Sequence, residues 1–158
     1  MTTTAAIDRD ANRVPITTNT PFRVSKSMTF AGGTANDPGD YDGTGNPATL
    51  FTVTGDVLVT VFAVCTADLV GDSATVEVGV ASNTAGLLAQ TTATTIDVGE
   101  SWVDSTPGLA SEVLPSPHII GGGADIIQTV ATANITAGSV TYYCLWRPLS
   151  STASVVAA

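Results

Sequence analysis

Short segments of alternating apolar and polar residues recur along this chain, and they constrain its fold more than any other feature. In Thr75–Val80 the valines occupy every second position, while Thr, Glu and Gly occupy the others. Because successive side chains of a strand point to opposite faces, this pattern predicts a strand with one buried and one solvated face. In Asp56–Cys65 both sets of positions are largely apolar, which predicts a central strand covered on both faces.

Further strand-like segments follow at intervals of about ten residues, with turn-forming sequences between them. We predict strands at 87–92, 94–98, 100–104, 126–133 and 140–146. Turns rich in Gly, Asn, Asp and Ser separate them, for example at 70–73, 82–86 and 137–139. No window of the sequence sustains an apolar stripe of helical period over three turns. The expected fold is therefore all-β, an antiparallel β-sandwich of the jelly-roll or Greek-key type.

The length of 158 residues suits one β domain with short terminal segments. Residues 1–30 are predicted to form an extended N-terminal arm, residues 31–150 the sandwich, and residues 151–158 a flexible C-terminal tail. The first ten residues contain two acids and one base where a signal peptide needs an apolar core. We therefore expect synthesis and folding in the cytoplasm, without secretory export.

Charge is distributed unevenly between the arm and the rest of the chain. Four of the five basic residues lie in the first 26 positions and are the predicted contact residues of the arm: Arg9, Arg13, Arg23 and Lys26. The remaining residues carry twelve of the fourteen acids against one base, Arg147. An acidic body repels nucleic acid and anionic membranes, whereas a basic segment can bind an acidic protein surface. Because two acids dilute the arm and no aromatic residue lies among its first bases, we predict that it contacts protein and not nucleic acid.

One loop is a candidate cation site, because Ca²⁺ prefers several carboxylate and carbonyl oxygens on a flexible turn. Four oxygen-bearing side chains of this Gly-rich loop are the candidate ligands: Asp37, Asp40, Asp42 and Asn46. The spacing differs from that of an EF-hand, since the alignment of Asp40 and Asp42 with its third and fifth positions puts Thr49 where the bidentate Glu belongs. We interpret the segment as a turn-rich surface loop, with a weak Ca²⁺ site as the alternative. No cofactor is predicted.

No set of residues specifies a catalytic reaction. His118 is the only histidine and follows a Pro-Ser-Pro sequence, which favours an edge strand or interface over a catalytic base. Gly121–Gly123 lead towards another strand without the Lys and Ser or Thr of a phosphate-binding loop. Cys65 and Cys144 lie in apolar strands and are interpreted as buried free thiols, with a disulfide between them as the alternative. We therefore expect a protein that is not an enzyme.

Four aromatic residues are candidates for a sugar-binding platform: Trp102, Tyr142, Tyr143 and Trp146. Alternation over 140–146 predicts that Tyr142, Cys144 and Trp146 face inward together with Val140. This favours packing in the core or between subunits. A glycan-binding surface would instead require an exposed indole beside polar groups.

The Thr-, Val-, Ala- and Gly-rich strands, the acidic body and the sequence YYCLWRPLS at 142–150 resemble small virion proteins of tailed bacteriophages. The segments 55–62 and 76–90 add to this resemblance, which covers roughly residues 50 to 150. Among such proteins are capsid decoration, or cement, proteins: compact β domains, often trimeric, that bind the outside of the shell.

The resemblance implies a structural role on the exterior of the capsid, the major capsid protein as partner, and a homo-oligomer, with a trimer favoured. The arm would then contact the capsid or a neighbouring subunit, and neither nucleic acid nor a membrane would be a partner. The resemblance leaves open a structural protein of the neck or tail, and a receptor- or glycan-binding module of a tail fibre or spike.

Overall fold

A computed structural model describes residues 21–33, 36–109 and 111–158 of the chain. The strands of these ranges are β1 (Phe22–Thr29), β2 (Ala48–Thr54), β3 (Val57–Val70), β4 (Thr75–Val80), β5 (Asn83–Thr92), β6 (Ser101–Trp102), β7 (His118–Ile120), β8 (Ile126–Ala131), β9 (Ala137–Pro148) and β10 (Ser154–Ala157). A short 3-10 turn, Ala93–Thr95, follows β5. Within the described ranges, no helix has the length and apolar character needed to cross a membrane.

The strands form two antiparallel sheets that pack face to face. Sheet one has the order β1-β9-β3-β6, and β7 also pairs with β3; sheet two has the order β10-β2-β8-β4-β5. Apart from the β4–β5 hairpin and the β6–β7 connection, each strand is followed by a strand of the other sheet. Without β7 and β10, the orders are β1-β9-β3-β6 and β2-β8-β4-β5, which is the eight-stranded jelly-roll arrangement. The predicted antiparallel β-sandwich is confirmed.

The core between the sheets is built from alternate residues of the long strands. Val57, Val59, Val61 and Ala63 of β3 are at most 1 % exposed, and Tyr142 and Cys144 of β9 are fully buried. The inward-facing residues of both sheets form one continuous cluster. Burial of each side chain of this size contributes about 1.5–3 kcal/mol. The apolar residues at alternate positions of the sequence are therefore the side chains that hold the two sheets together.

The predicted strand at 94–98 is wrong. The chain leaves sheet two after β5 and crosses to β6 in sheet one, and the 3-10 turn makes this change of direction. Within it, the Thr95 hydroxyl donates to the Thr92 carbonyl oxygen (2.7 Å), and the side chain of Ile96 is buried. The turn predicted at 82–86 is also shorter than expected, because Val80 pairs directly with Asn83 across a two-residue hairpin.

The boundary of the predicted N-terminal arm at residue 30 is also wrong. Residues 22–29 form β1, which pairs with β9 along its whole length. Lys26 fixes this strand at the side of the sandwich, because its Nζ donates to the carbonyl oxygens of Thr49 (2.8 Å) and Ala158 (2.9 Å). Met28 is buried in the core. The part of the predicted arm that contains Arg9 and Arg13 lies outside the described residues.

The predicted flexible tail at 151–158 contains a strand of sheet two. Strand β10 pairs with β2 in a continuous register from Ser154 opposite Thr54 to Ala157 opposite Phe51. The side chain of Val155 is only 5 % exposed and belongs to the core. The predicted tail therefore contains an edge strand, which is held by its backbone pairing with β2, by Val155 in the core and by the hydrogen bond from Lys26 to Ala158.

Candidate functional site

The predicted ion loop is organised by its own side chains. Asp40 is 2 % exposed, and its carboxylate accepts hydrogen bonds from the backbone N–H groups of Gly33 (2.7 Å) and Asp37 (3.3 Å). The Asn46 amide donates to the carbonyl oxygens of Tyr41 and Val130 (2.7 Å each) and accepts from the Val130 N–H (2.9 Å). Asp40 and Asn46 therefore shape the loop backbone.

Asp37 is half-buried and Asp42 is exposed at the surface of the same loop. Across 21–33, 36–109 and 111–158, no group of three or more His, Cys, Asp or Glu side chains is placed to hold a metal ion. The structure thus does not bring the three aspartates of this loop together as one ligand set.

Two of the four aromatic candidates lie in the core. Trp102 and Tyr142 are fully buried and meet edge to face with 6.3 Å between their ring centroids. The Tyr142 hydroxyl donates to Oε1 of Gln128 (2.7 Å), and burial raises the pKa of Tyr142. Neither ring can contribute to a surface platform. Trp146 is partly buried and packs against Phe22 with a centroid distance of 4.8 Å.

Both cysteines are free and buried, as interpreted from the sequence. Cys65 and Cys144 face the core from neighbouring strands of sheet one. Burial raises the pKa of Cys144 to about 12 and also raises the pKa of Cys65. A thiol that stays protonated is a poor nucleophile. Their role in this structure is to pack in the core.

His118 and the glycines after it lie at the edge of sheet one. His118 begins β7 and pairs with Val59, so the predicted edge-strand position is confirmed. Gly122 and Gly123 adopt positive φ angles of 70° and 74°, which glycine tolerates without a steric penalty. They form the turn that carries the chain from β7 to β8, as expected for a loop.

The outward side of sheet one carries a continuous set of apolar side chains. Residues of β3 and β9 that alternate with the core positions must point away from the core. Their side chains are half-buried, and the strand register places Phe62 opposite Tyr143 and Thr60 opposite Leu145. We call this set, with the two arginines beside it, the docking face: Arg23, Leu58, Thr60, Phe62, Val64, Tyr143, Leu145 and Arg147.

A ladder of stacked groups crosses three strands of the docking face. The rings of Phe62 and Tyr143 are stacked with 5.1 Å between centroids and an interplanar angle of 15°. The Arg23 guanidinium carbon lies 6.0 Å from the Tyr143 ring centroid, within the range of a cation–π contact. Tyr and Arg are also the residue types enriched at the energetic centres of protein interfaces. The ladder therefore presents a rigid surface suited to protein contact.

The docking face also differs in charge from the rest of the molecule. The chain has a formal net charge of −9, whereas the eight residues that define this face include two bases and no acid; Asp68 is exposed towards the far end of β3. The bases of those ranges, Arg23, Lys26 and Arg147, all lie on β1 and β9 of sheet one. Arg23 and Arg147 are on the docking face, and the Lys26 ammonium group donates to carbonyl oxygens of the fold. A partner with a complementary acidic surface would be oriented by the two arginines.

The outward side of sheet two is mainly polar. Thr52 and Thr54 of β2 are exposed, and Thr129 of β8 is half-buried. The Glu77 carboxylate accepts a hydrogen bond from the Gln90 side-chain amide (3.0 Å). The two outer faces of the sandwich are therefore chemically different, and only that of sheet one has the composition of a contact surface.

A groove of about 260 Å³ lies at one end of the docking face. Its floor includes Leu58 and Leu145, and its wall includes the segment 114–117 that precedes β7. Apolar side chains around it are strongly exposed, with Leu114 at 50 % and Ile119 at 74 %. Pro21 also lines the groove, at the point where the described chain begins.

Comparison with known proteins gives no match. No family model, no curated protein and no solved structure is similar to this chain.

The docking face was not predicted as a site from the sequence. The sequence feature that corresponds to this face is the apolar character of both sets of positions in 56–65, which predicted a strand covered on both faces. Arg23 was predicted as a contact residue from charge alone, and the structure places it beside Tyr143. Leu145 could have been assigned outward by the same alternation that placed Tyr142 and Cys144 inward.

Proposed function

We propose that this chain is a structural protein of a tailed-bacteriophage virion that decorates and stabilises the outer surface of the capsid by protein contacts. The docking face carries the proposal. It combines aliphatic side chains, the stacked ladder of Phe62 and Tyr143 and two arginines on one side of an otherwise acidic sandwich. Surfaces that combine aromatic, aliphatic and Arg side chains with few acids resemble the centres of protein interfaces.

The fold supports the proposal by analogy. Jelly-roll sandwiches build viral capsid proteins and lectin domains. Fold alone does not determine function, so the analogy only favours classes that use a sandwich as a binding platform. Decoration of a capsid and recognition of a receptor both belong to these classes.

The proposed partner is the major capsid protein, at a surface with apolar and acidic groups. Each arginine contact at the rim contributes only about 0–1 kcal/mol when exposed. A homo-oligomer, with a trimer favoured, would engage several capsid subunits at once, and this multivalency raises the overall affinity without new contacts. The polar side of sheet two would then face solvent.

The alternative is a receptor- or glycan-binding module of a tail fibre or spike. It requires an exposed indole beside polar groups, and Trp102 is fully buried. Trp146 is partly buried against Phe22. The docking face offers mostly aliphatic groups, which suit a protein partner better than a sugar. A structural protein of the neck or tail would use the same face, and only copy number separates it from a decoration protein.

Mass spectrometry of purified virions tests the location. A decoration protein has a copy number comparable with that of the major capsid protein. A copy number comparable with that of the portal or tail proteins would assign the chain to the neck or tail. Absence from virions would overturn the virion role altogether.

The docking face is tested by Leu145→Asp, with Thr54→Asp on the outward side of sheet two as the matched control. The carboxylate removes apolar contact area at the centre of the face and stands opposite Arg23, so that it also cancels positive charge offered to an acidic partner. We expect binding of the purified protein to undecorated capsids to weaken by about tenfold or more, while the control binds like the wild type. Equal binding of both variants would exclude this face.

A further inference from the structure

The groove at the end of the docking face combines an apolar floor with two polar side chains. Leu58 and Leu145 form part of the floor, and Thr60 and Arg147 also line the groove. Its volume of about 260 Å³ is slightly below the roughly 300–1,000 Å³ of typical small-molecule sites. The groove therefore suits a short protein segment that presents an aliphatic side chain next to a polar or charged one.

Arg147 determines the charge of a suitable segment. None of the described residues that line the groove is acidic, so that the guanidinium group gives the groove a positive charge. A guanidinium group has five N–H donors and binds carboxylates in bidentate geometry. Arg147 can therefore bind an incoming carboxylate in addition to the interaction that it already has. The occupant should carry an acid beside its aliphatic side chain.

The segment 111–114 of this chain presents that combination. All four residues are exposed and lie in neither a strand nor a helix. Val113 is 87 % exposed, more than any other large apolar side chain of the described ranges, and Glu112 precedes it. Pro115 and Pro117 restrict the backbone around them to extended conformations. Binding of such a pre-ordered segment costs less conformational entropy than binding of a flexible one.

Within one chain, Glu112 and Arg147 are far apart. The Glu112 carboxylate lies against Gly108, which forms a bridge to β6. Strand β6 pairs with β3 at Val64, whereas Arg147 pairs with Leu58. Strand geometry puts roughly 20 Å between these two positions of β3. Each of the two charged groups is therefore placed to meet its complement on a second copy of the chain.

We infer that the groove binds segment 111–114 of a second copy of this chain, with Val113 on the apolar floor and Glu112 paired with Arg147. Thr60 then lies beside the bound backbone, where its hydroxyl can hydrogen-bond to a peptide group. This contact would join the subunits of the homo-oligomer in the proposed function, and it rests on that part of the proposal alone. The same contact can close a dimer or a trimer.

Charge reversal tests the pairing of Glu112 with Arg147. Sedimentation velocity of the purified full chain should show an oligomer that dissociates on dilution. Glu112→Arg and Arg147→Glu should each weaken association by about tenfold or more, because each brings like charges together. The double variant should associate more tightly than either single variant, since it restores the pair with its charges exchanged.

A second acid that precedes an exposed valine provides matched controls. Asp97 is exposed, and Val98 after it is 53 % exposed. Asp97→Arg changes the net charge as Glu112→Arg does and should associate like the wild type. Val113→Ser should weaken association by about tenfold through lost apolar burial, whereas Val98→Ser should leave it unchanged. These comparisons leave Arg147 intact, and circular dichroism verifies that each variant is folded.

Three results would overturn the inference. They are a chain that stays monomeric up to millimolar concentration, equal association of Glu112→Arg and Asp97→Arg, and a double variant that associates no better than the single ones. None of these results changes the copy number of the protein in virions. Failure of this contact is therefore distinguishable from failure of the proposed function.

Discussion

Tyr142 and Tyr143 are neighbours in sequence, yet they belong to opposite sides of sheet one. Tyr142 is fully buried, and its hydroxyl donates a hydrogen bond to Gln128 Oε1 (2.7 Å). This bond gives the buried amide oxygen of Gln128, in sheet two, a donor. Tyr143 stacks on Phe62 at the docking face. The same side chain thus links the two sheets at one position and forms the outer surface at the next.

This difference predicts that the same substitution is destabilising at position 142 and nearly neutral at position 143. Tyr142→Phe leaves the buried Gln128 carbonyl oxygen without its donor and should lower the free energy of unfolding by about 1–3 kcal/mol. Tyr143→Phe keeps the stacked ring and should change it by no more than about 0.5 kcal/mol. Urea unfolding of both variants measures the difference. Equal stabilities would show that the hydroxyl contributes nothing to joining the sheets.

The buried thiols make stability sensitive to alkaline pH. Burial raises the pKa of Cys144 to about 12, whereas a thiol of an unfolded chain ionises near pH 8.5. Because only the unfolded chain can ionise this thiol between these values, stability is complete below about pH 8.5 and falls as pH rises towards 12. We expect Cys144 to account for a loss of roughly 2 kcal/mol at about pH 10.

Cys144→Ala is the test of this pH dependence. The variant should be less stable at neutral pH, because it leaves a small cavity, but its stability should fall less steeply between about pH 8 and 10. Part of the dependence of stability on pH should remain in this variant, because burial also raises the pKa of Cys65. Urea unfolding at several pH values measures it, and an unchanged slope would contradict the assignment.

At the scale of elements, β10 is the clearest case of a strand that the sequence did not reveal. Val155 faces the core at 5 % exposure, and Val156 faces outward at 53 %. Val155→Asp should lower the free energy of unfolding by about 3 kcal/mol, since it buries an unpaired carboxylate. Val156→Asp should cost less than about 1 kcal/mol. If both substitutions have the same small effect, residues 154–157 behave as the flexible tail first predicted.

The strands found from the sequence are those with sustained alternation. Thr75–Val80 matches β4 at both ends, and the predicted central strand at 56–65 begins one residue before the longer β3 and ends five residues before its end. Strands β1, β2 and β10 were not predicted. β2 buries Leu50, Phe51 and Val53 directly after the Gly-rich loop, whereas β1 and β10 each contribute only one buried apolar side chain, Met28 or Val155. The pairing of β1 and β10 depends on partners more than 90 residues away along the chain, which local patterns do not encode.

At the scale of the whole molecule, the sandwich is asymmetric in both polarity and charge. The outward side of sheet one carries the docking face with Arg23 and Arg147, and that of sheet two carries mainly Thr and Glu side chains. The sequence predicted an acidic body and a basic N-terminal region, but it could not show that Lys26 is used internally. The carbonyl oxygens that it binds belong to residues 23 and 132 positions away, and only the folded sandwich brings the three together.

The Lys26 ammonium group also has a mechanical consequence. It ties β1, the first described strand, to the backbone of Ala158 beyond β10, so that two strands distant in sequence lie at one side of the sandwich. Tension applied between residues 21 and 158 would be resisted locally, by this clamp and by the edge strands that it joins. The core between the sheets would carry little of that load. Strands β1 and β10 would therefore detach before the core is disrupted.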